Sequence, residues 1–255
     1  MTDLPDEFRR LPIAHRALHD VADGRPENSR AAIAAAIEAG YGIELDLQLS
    51  RDGRAMVFHD YELDRLTDAT GFVRNHSMSE LTEIPLTGGH EGIPTLAEIL
   101  DLVAGRAPLL IELKDQHGQM GVTDGRLEHA TCQDIQRYSG PLAVMSFNPN
   151  SVVQLADLAP NVPRGIVTGA YKVENWPMLP QETRDHLREI PDYEATKSSF
   201  ISHQVSDLDR QRVADLKSKG AAIFTWTVRS VEQEIVARQV ADNITFEGYR
   251  AALPS

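Results

Sequence analysis

The chain is poor in cysteine, in aromatic residues and in positive charge. Cys132 is the single cysteine among 255 residues, so no intramolecular disulfide can form and nothing calls for an oxidising compartment. No apolar run approaches the roughly 18 residues of a membrane-spanning helix, so no stable membrane anchor is expected. Lys and Arg number 25 against 38 Asp and Glu, a formal net charge of -13. So acidic a balance argues against nucleic acid or an anionic membrane surface, since either needs basic clusters. An anionic substrate would have to meet positive charge gathered at its own site. Residues 1–7 are acidic and lack the apolar core of a signal peptide, which makes a cytoplasmic location the default.

What the chain does have is a recurring strand pattern. In Gly42-Ile43-Glu44-Leu45-Asp46-Leu47 the apolar residues Ile43, Leu45 and Leu47 share one face, and Glu44 and Asp46 share the other. Were this an exposed amphipathic strand, the acids would simply face water. Barrel strands bury both faces, however, and buried like charges cost several kcal/mol apiece unless something compensates them. The pattern returns in Leu109-Leu110-Ile111-Glu112-Leu113-Lys114, where Glu112 and Lys114 share the polar face. Three inward carboxylates suit a hard divalent cation, Mg2+ or Ca2+, better than Zn2+. For Glu112 the alternative is an ion pair with Lys114 or Arg16.

His15 and His59 each close a short apolar run, at the strand ends where barrel enzymes place their chemistry. Imidazole serves both halves of acid/base work near neutral pH. The other seven histidines, including His19, His76 and His117, read as surface or loop residues. Arg16 and Lys114 are the cations to aim at a phosphate, the arginine by bidentate contact and the lysine as a point charge. Trp226 is either barrel core or a wall for the substrate's organic group.

Along the chain, apolar strand runs at 142–146, 164–168, 200–203, 222–228 and 241–245 alternate with helical stretches at 30–39, 94–103, 127–138, 151–158, 182–188, 208–219 and 231–238. About eight strands alternating with helices predict an α/β fold, a (β/α)8 barrel forming one domain over residues 1–255. Ser29 or Asn28 would cap the first long helix and Gly40 would close it. The runs at 42–47 and 55–58 lie too close for a crossover helix, which leaves a hairpin or an irregular loop. Residues 61–93 carry no clean period and hold Gly71, Pro85, Gly88, Gly89 and Gly92, the mark of a small insertion over one end of the barrel.

These residues fall into an ordered set of blocks: Ala14-His15-Arg16, Pro26-Glu27-Asn28-Ser29, Ile43-Glu44-Leu45-Asp46-Leu47, Arg51-Asp52-Gly53, Phe58-His59-Asp60, Ile93-Pro94-Thr95-Leu96, Ile111-Glu112-Leu113-Lys114 and Thr225-Trp226-Thr227-Val228. The set resembles the glycerophosphodiester phosphodiesterases across nearly the whole chain, most densely before Lys114. That resemblance implies a TIM-type barrel with a small insertion after the His59 strand. It implies a divalent cation held at Glu44, Asp46 and Glu112, with His15 and His59 as the catalytic pair. Arg16 and Lys114 match phosphate-contacting positions, Glu27 and Asn28 match residues lining the site, and Trp226 matches one near the glycerol end.

The implied reaction splits a glycerophosphodiester into sn-glycerol 3-phosphate and an alcohol such as choline or ethanolamine. The alternative is a lysophospholipase D acting on a substrate that keeps one acyl chain. It would need an apolar groove, for which residues 61–93 offer Phe72, Met78 and Leu81. A Schiff-base role for Lys114 is disfavoured because three nearby carboxylates hold its pKa up. A barrel that only binds phosphoesters would need no acid/base pair. Two departures stand out. Where the family's last strand usually ends Thr-Asp-x-Pro, this chain has Thr245-Phe246-Glu247-Gly248, so no role carries over to that strand. Residues 170–199 also match poorly.

Overall fold

Every second residue of the longest strand points at the barrel axis, and that register organises the fold. The computed structural model describes residues 2–254. Its strands in chain order are β1 (Ile13–Ala14), β2 (Gly42–Leu49), β3 (Ala55–Val57), β4 (Leu109–Leu113), β5 (Leu142–Ser146), β6 (Arg164–Thr168), β7 (Phe200–Gln204), β8 (Ala222–Val228) and β9 (Asn243–Phe246). All but β3 run parallel to their neighbours, and β1 pairs with both β2 and β9, which closes an eight-stranded (β/α)8 barrel. The exception, β3, folds back antiparallel on β2 with Leu47 opposite Val57, so the short link is a hairpin.

The helices are α1 (Glu7–Arg10), α2 (Arg30–Ala39), α3 (Met78–Thr82), α4 (Leu96–Val103), α5 (Arg126–Ile135), α6 (Pro149–Leu158), α7 (Gln181–Arg188), α8 (Gln211–Ser218) and α9 (Val231–Ala237). Ile43, Leu45 and Leu47 pack outward against Ile33 and Ala36 of α2 and Ile99 and Val103 of α4, in the main core between barrel and helices. Two helices, α4 and α8, start later than their periodicity suggests, and α5, α6 and α7 start one or two residues earlier. The α4 cap is Thr95, in a capping box with Glu98, while the Pro94 carbonyl is engaged by the Val57 amide of β3. Before α8 the chain makes a 3-10 turn at Val205–Asp207. No helix among the described residues is long and apolar enough to cross a membrane.

The barrel interior has two layers. At the N-terminal end Phe8 of α1 enters from below, its ring 6.5 Å from Phe224, which in turn lies 4.8 Å from Phe200. Leu110, Ala143 and Ala222 complete this plug. Each buried phenylalanine contributes about 1.5–3 kcal/mol. Gly165 of β6 makes room for it, because a Cβ there would stand 2.3 Å from the Phe200 ring. Above the plug the inward positions of β2 and β4 turn polar, while Met145 and Val167 stay apolar, and the site stands on this dry floor.

Residues 61–93 are not structureless. They contain α3 and the 3-10 turn Val73–Asn75, and Leu63, Val73, Leu81, Leu86 and Ile93 close a small core of their own around Met56 and Phe58. The insertion thus hangs from the β3 end of the hairpin, immediately after His59.

Candidate active site

At the C-terminal end of the barrel, the pairing of β2 with β4 sets Asp46 directly opposite Glu112. With Glu44 they form a buried cluster whose ligand atoms lie within 4.8 Å of one another. Each acid is held in place. The Arg16 amide donates to Glu44 Oε2 at 2.8 Å, from a backbone forced into the left-handed region at Arg16 (φ 53) and Ala17 (φ 66). The Asn28 side chain donates to Asp46 Oδ2 at 2.9 Å. Asn28 is therefore not the helix cap; Ser29 takes that role, accepting from the Ala32 amide. Lys114 Nζ bridges Asp46 Oδ1 and Glu112 Oε1, 2.6 Å from each.

The electrostatics of the cluster favour binding of a cation. Burial, then repulsion from Asp46 and Glu112, pushes the Glu44 carboxyl well above the usual carboxylate range. Glu112 is raised too, chiefly by burial. Burial also opposes ionisation of Asp46, but Lys114, His59 and Arg16 outweigh it and hold that carboxyl far below its ordinary value. The Lys114 ammonium is penalised by burial, yet Asp46 and Glu112, 2.6 Å away, raise its pKa and favour the charged form, which opposes a Schiff-base role. Three hard oxygen donors at this spacing suit a divalent cation. Beside them, Arg16 Nε is buried without a hydrogen-bond partner among the described residues, 3.6 Å from Asp46 Oδ2. A buried donor left unmet beside the acids is a place for an anion's oxygen.

The two histidines flank this cluster as matched pairs. His59 Nδ1 lies 2.5 Å from Asp60 Oδ1, and His15 Nδ1 lies 2.5 Å from Glu247 Oε2. With Nδ1–H donated to a carboxylate, each imidazole keeps Nε2 free for proton transfer. Burial lowers the pKa of His15, against the pull of Glu247. The end of the last strand, given no role by the sequence, thus supplies a carboxylate one residue beyond the expected aspartate position. Glu247 is also engaged by Arg229 at 2.7 Å and approached by His19 at 3.7 Å.

Arg65, from the insertion, escaped the sequence reading. Its guanidinium grips Glu27 with two hydrogen bonds of 2.9 Å and Asp60 with bonds of 2.6 and 2.9 Å. Glu27 in turn accepts from Arg16 Nη1 at 2.8 Å. One chain of charges therefore runs from His59 through Asp60, Arg65 and Glu27 to Arg16. The only hint was its place five residues after Asp60, on a segment without periodicity.

His19 lies in a loop, as expected, part-buried and 3.7 Å from Glu247 Oε2. One histidine assignment needs correction. His203, on β7, is fully buried, with Nδ1 2.7 Å from Thr168 Oγ1 and Nε2 3.0 Å from the Asp207 carbonyl oxygen. Its position on the outward face of the strand places it between barrel and helices, where it pins two strands and a turn.

Glu44, Glu112, both histidines, Arg16 and Lys114 line one cavity of about 710 Å³, with Asp46 buried just behind its wall. Trp226 forms part of its wall, at the point where β8 loses register with β9 between Thr225 and Val228. Its indole N–H is donated to the Ser202 carbonyl at 3.0 Å, so it offers the cavity ring surface only. Glu27 and Asn28 stand behind the site, gripping Arg16 and Asp46.

A barrel of this kind, with clustered acids, cations and paired imidazoles at its C-terminal mouth, is built for hydrolytic chemistry on a phosphoester. Comparison with known proteins makes the assignment specific. The glycerophosphoryl diester phosphodiesterase family model matches residues 15–244, and the chain belongs to that family. Such enzymes are phosphoric diester hydrolases, and the family is generally dependent on a divalent cation. A glycerophosphodiester phosphodiesterase of Caldanaerobacter subterraneus subsp. tengcongensis is 29% identical over 247 residues, covering 93% of each chain. Among solved structures, a phosphodiesterase of Oleispira antarctica in complex with the product sn-glycerol-3-phosphate superposes with a TM-score of 0.76, 25% identity and 93% coverage of each chain. The barrel of a glycerophosphodiester phosphodiesterase from Thermotoga maritima gives a TM-score of 0.69 at 23% identity, over 92% of this chain and 94% of that one.

Proposed function

We propose that this protein hydrolyses glycerophosphodiesters to sn-glycerol 3-phosphate and an alcohol, using a divalent cation at Glu44, Asp46 and Glu112 and the pair His15 and His59 as acid and base. The observation that carries this reading is the buried acid cluster flanked, in one cavity, by two histidines each gripped at Nδ1 by a carboxylate 2.5 Å away. When bound, Mg2+ or Ca2+ would supply Lewis-acid stabilisation of charge on the phosphoryl oxygens.

The chain's own residues do the rest. Arg16 Nε, buried and without a hydrogen-bond partner among the described residues, meets a phosphoryl oxygen, and Lys114 adds a fixed positive charge beside it. One imidazole takes the proton of the attacking hydroxyl, water or the glycerol 2-hydroxyl, through Nε2. The other gives a proton to the departing alkoxide. Each transfer is worth roughly 10²- to 10⁴-fold in rate. Glu247 and Asp60 hold the rings in one tautomer, and Asn28 and Glu27 orient Asp46 and Arg16. The sn-glycerol-3-phosphate bound as product by the Oleispira antarctica relative supports the choice of substrate.

The test is release of glycerol 3-phosphate from glycerophosphocholine and glycerophosphoethanolamine, with EDTA and then with Mg2+ or Ca2+ restored. Turnover should stop with the chelator and return with the metal. Failure on both substrates with metal present would remove the reading.

A further inference from the structure

The aromatic wall of the reaction cavity has a second side. Met120 after β4, Phe147 after β5 and Trp176 after β6 line that cavity, and Tyr171, Leu179 and, from α7, Leu187 complete one apolar cluster with them. The Tyr171 ring stands 5.3 Å from Trp176 and 6.3 Å from Phe147. Tyr171 also lines a separate hollow of about 240 Å³ between the β6–α7 loop and α7. One apolar partition therefore has the reaction cavity on one face and this smaller hollow on the other. The hollow lies within residues 170–199, the stretch that matches the family poorly.

This hollow is cationic in a strongly acidic chain. Lys172 from the loop and Arg184 and Arg188 from α7 line it, and Asp185 is the one acid among its lining residues. Three cations against one carboxylate leave a formal charge of +2, where the chain as a whole carries -13. Neighbouring cations have found acids: Arg210 pairs with Glu189 at 2.8 Å, and His186 lies 3.2 Å from Asp192. None of Lys172, Arg184 and Arg188 has an ion-pair partner among the described residues. Arg184 is half-buried and donates from Nη1 to the Leu179 carbonyl, which holds its guanidinium against the loop; Lys172 and Arg188 are exposed. Arg188 stands one turn beyond Arg184, a spacing at which like charges repel. Glu182 and Glu189 of the same segment do not line the hollow. An anion relieves a repulsion that the chain itself leaves standing. Two guanidiniums and an ammonium offer more donors than the two oxygens of a carboxylate can use, and they match an oxyanion with three or four oxygens.

We propose that the hollow between the β6–α7 loop and α7 binds a small oxyanion of the phosphate type, held by Lys172, Arg184 and Arg188, at a site separate from the reaction cavity. Nothing in it depends on the reaction assigned above. The bound anion ties the loop that carries Trp176 to the helix that carries Leu187, and so braces the wall of the reaction cavity from behind. Free phosphate and a phosphomonoester share the chemistry that the three cations recognise.

The experiment is titration calorimetry of the full chain with Mg2+, using inorganic phosphate and, separately, methyl phosphate, at constant ionic strength so that general screening does not change. We expect a site with a dissociation constant of about 1 mM or below that persists in Arg16→Gln, a change confined to the reaction cavity. Arg184→Gln combined with Arg188→Gln should weaken this site about tenfold, and Lys172→Gln, at an exposed position, about threefold. Asp185→Asn should tighten it about two- to threefold by removing the one like charge, a gain that damage to the fold could not produce. Binding of phosphate, of methyl phosphate or of both with this pattern upholds the site and says which source fills it. Phosphate bound only in a way that Arg16→Gln abolishes and the α7 substitutions leave unmoved would overturn the proposal. So would an affinity indifferent to Asp185→Asn, or no binding of either anion.

Discussion

His59 and its carboxylate are neighbours in the chain, whereas His15 and Glu247 are 232 residues apart, yet each pair meets at 2.5 Å. The first pair is local. It sits at the end of the hairpin, and the insertion that follows sends Arg65 back to clamp Asp60 and Glu27 together. The second exists only because the barrel closes: β9 lies beside β1, and the residue after β9 arrives at the residue after β1. Both solutions fix an imidazole by a charge-assisted bond, but they fail in different ways. The His59 pair depends on one arginine from a small lobe, the His15 pair on the closure of the whole barrel.

The largest effects should not tell the pairs apart. His59→Ala and His15→Ala are each expected to lower kcat by roughly 10²- to 10⁴-fold while Mg2+ or Ca2+ binding, followed by calorimetry, survives. Near-normal kcat in either variant would break the symmetry and remove that histidine from the acid/base pair. Glu44→Ala should instead abolish both metal binding and activity in a folded protein, as judged by circular dichroism.

Next come the partners. Asp60→Asn and Glu247→Gln keep their shape but accept less strongly, so each should lower kcat by about 10²-fold with little change in KM. Arg65→Ala is expected to cost roughly 10- to 100-fold, and Arg65→Lys should recover little, since an ammonium cannot fork onto two carboxylates. A double-mutant cycle sharpens the contrast. Arg65→Ala with Asp60→Asn should be non-additive by about 1 kcal/mol or more, because they share one network, whereas Arg65→Ala with Glu247→Gln should add within about 0.5 kcal/mol. Equal coupling in both cycles would mean that the two halves of the site are not separately built.

The smallest effect is on stability. Burial opposes ionisation of Glu247, but the hydrogen bond with His15 and the nearby His19 and Arg229 hold its carboxyl far below the usual range. A depressed carboxylate pKa stabilises the fold fully above the unfolded value of about 4.3, and the contribution fades as pH falls toward the folded value. Between about pH 5 and pH 3 the Tm of the wild type should therefore fall more steeply than that of Glu247→Gln. Parallel curves would show that the His15 pair adds nothing to folding.

How much of this could be read from the chain follows the same division. The alternation in 42–47 and 109–114 placed Glu44, Asp46, Glu112 and Lys114 on the barrel's inner face, because the side-chain period of a strand is two wherever the strand ends up. Barrel and insertion followed from the spacing of such runs, whereas the choice of a hairpin over an irregular loop after β2 was made only by the pairing of β3 with it. Helix starts were displaced where a backbone group was already engaged elsewhere, as the Pro94 carbonyl is by Val57. His203 looked like any loop histidine because nothing in Phe200–Gln204 says that helices will cover its outer face.

By itself, then, the sequence determined which residues face the axis and which end a strand, since these depend on local period and turn chemistry. Only the tertiary structure decided that Glu247 meets His15, that Arg65 ties the insertion to Glu27, and that Met120, Phe147 and Trp176 from three loops share one wall. Those contacts are set by the closure and stagger of the barrel, which bring together residues whose separation along the chain carries no signal of their distance in space.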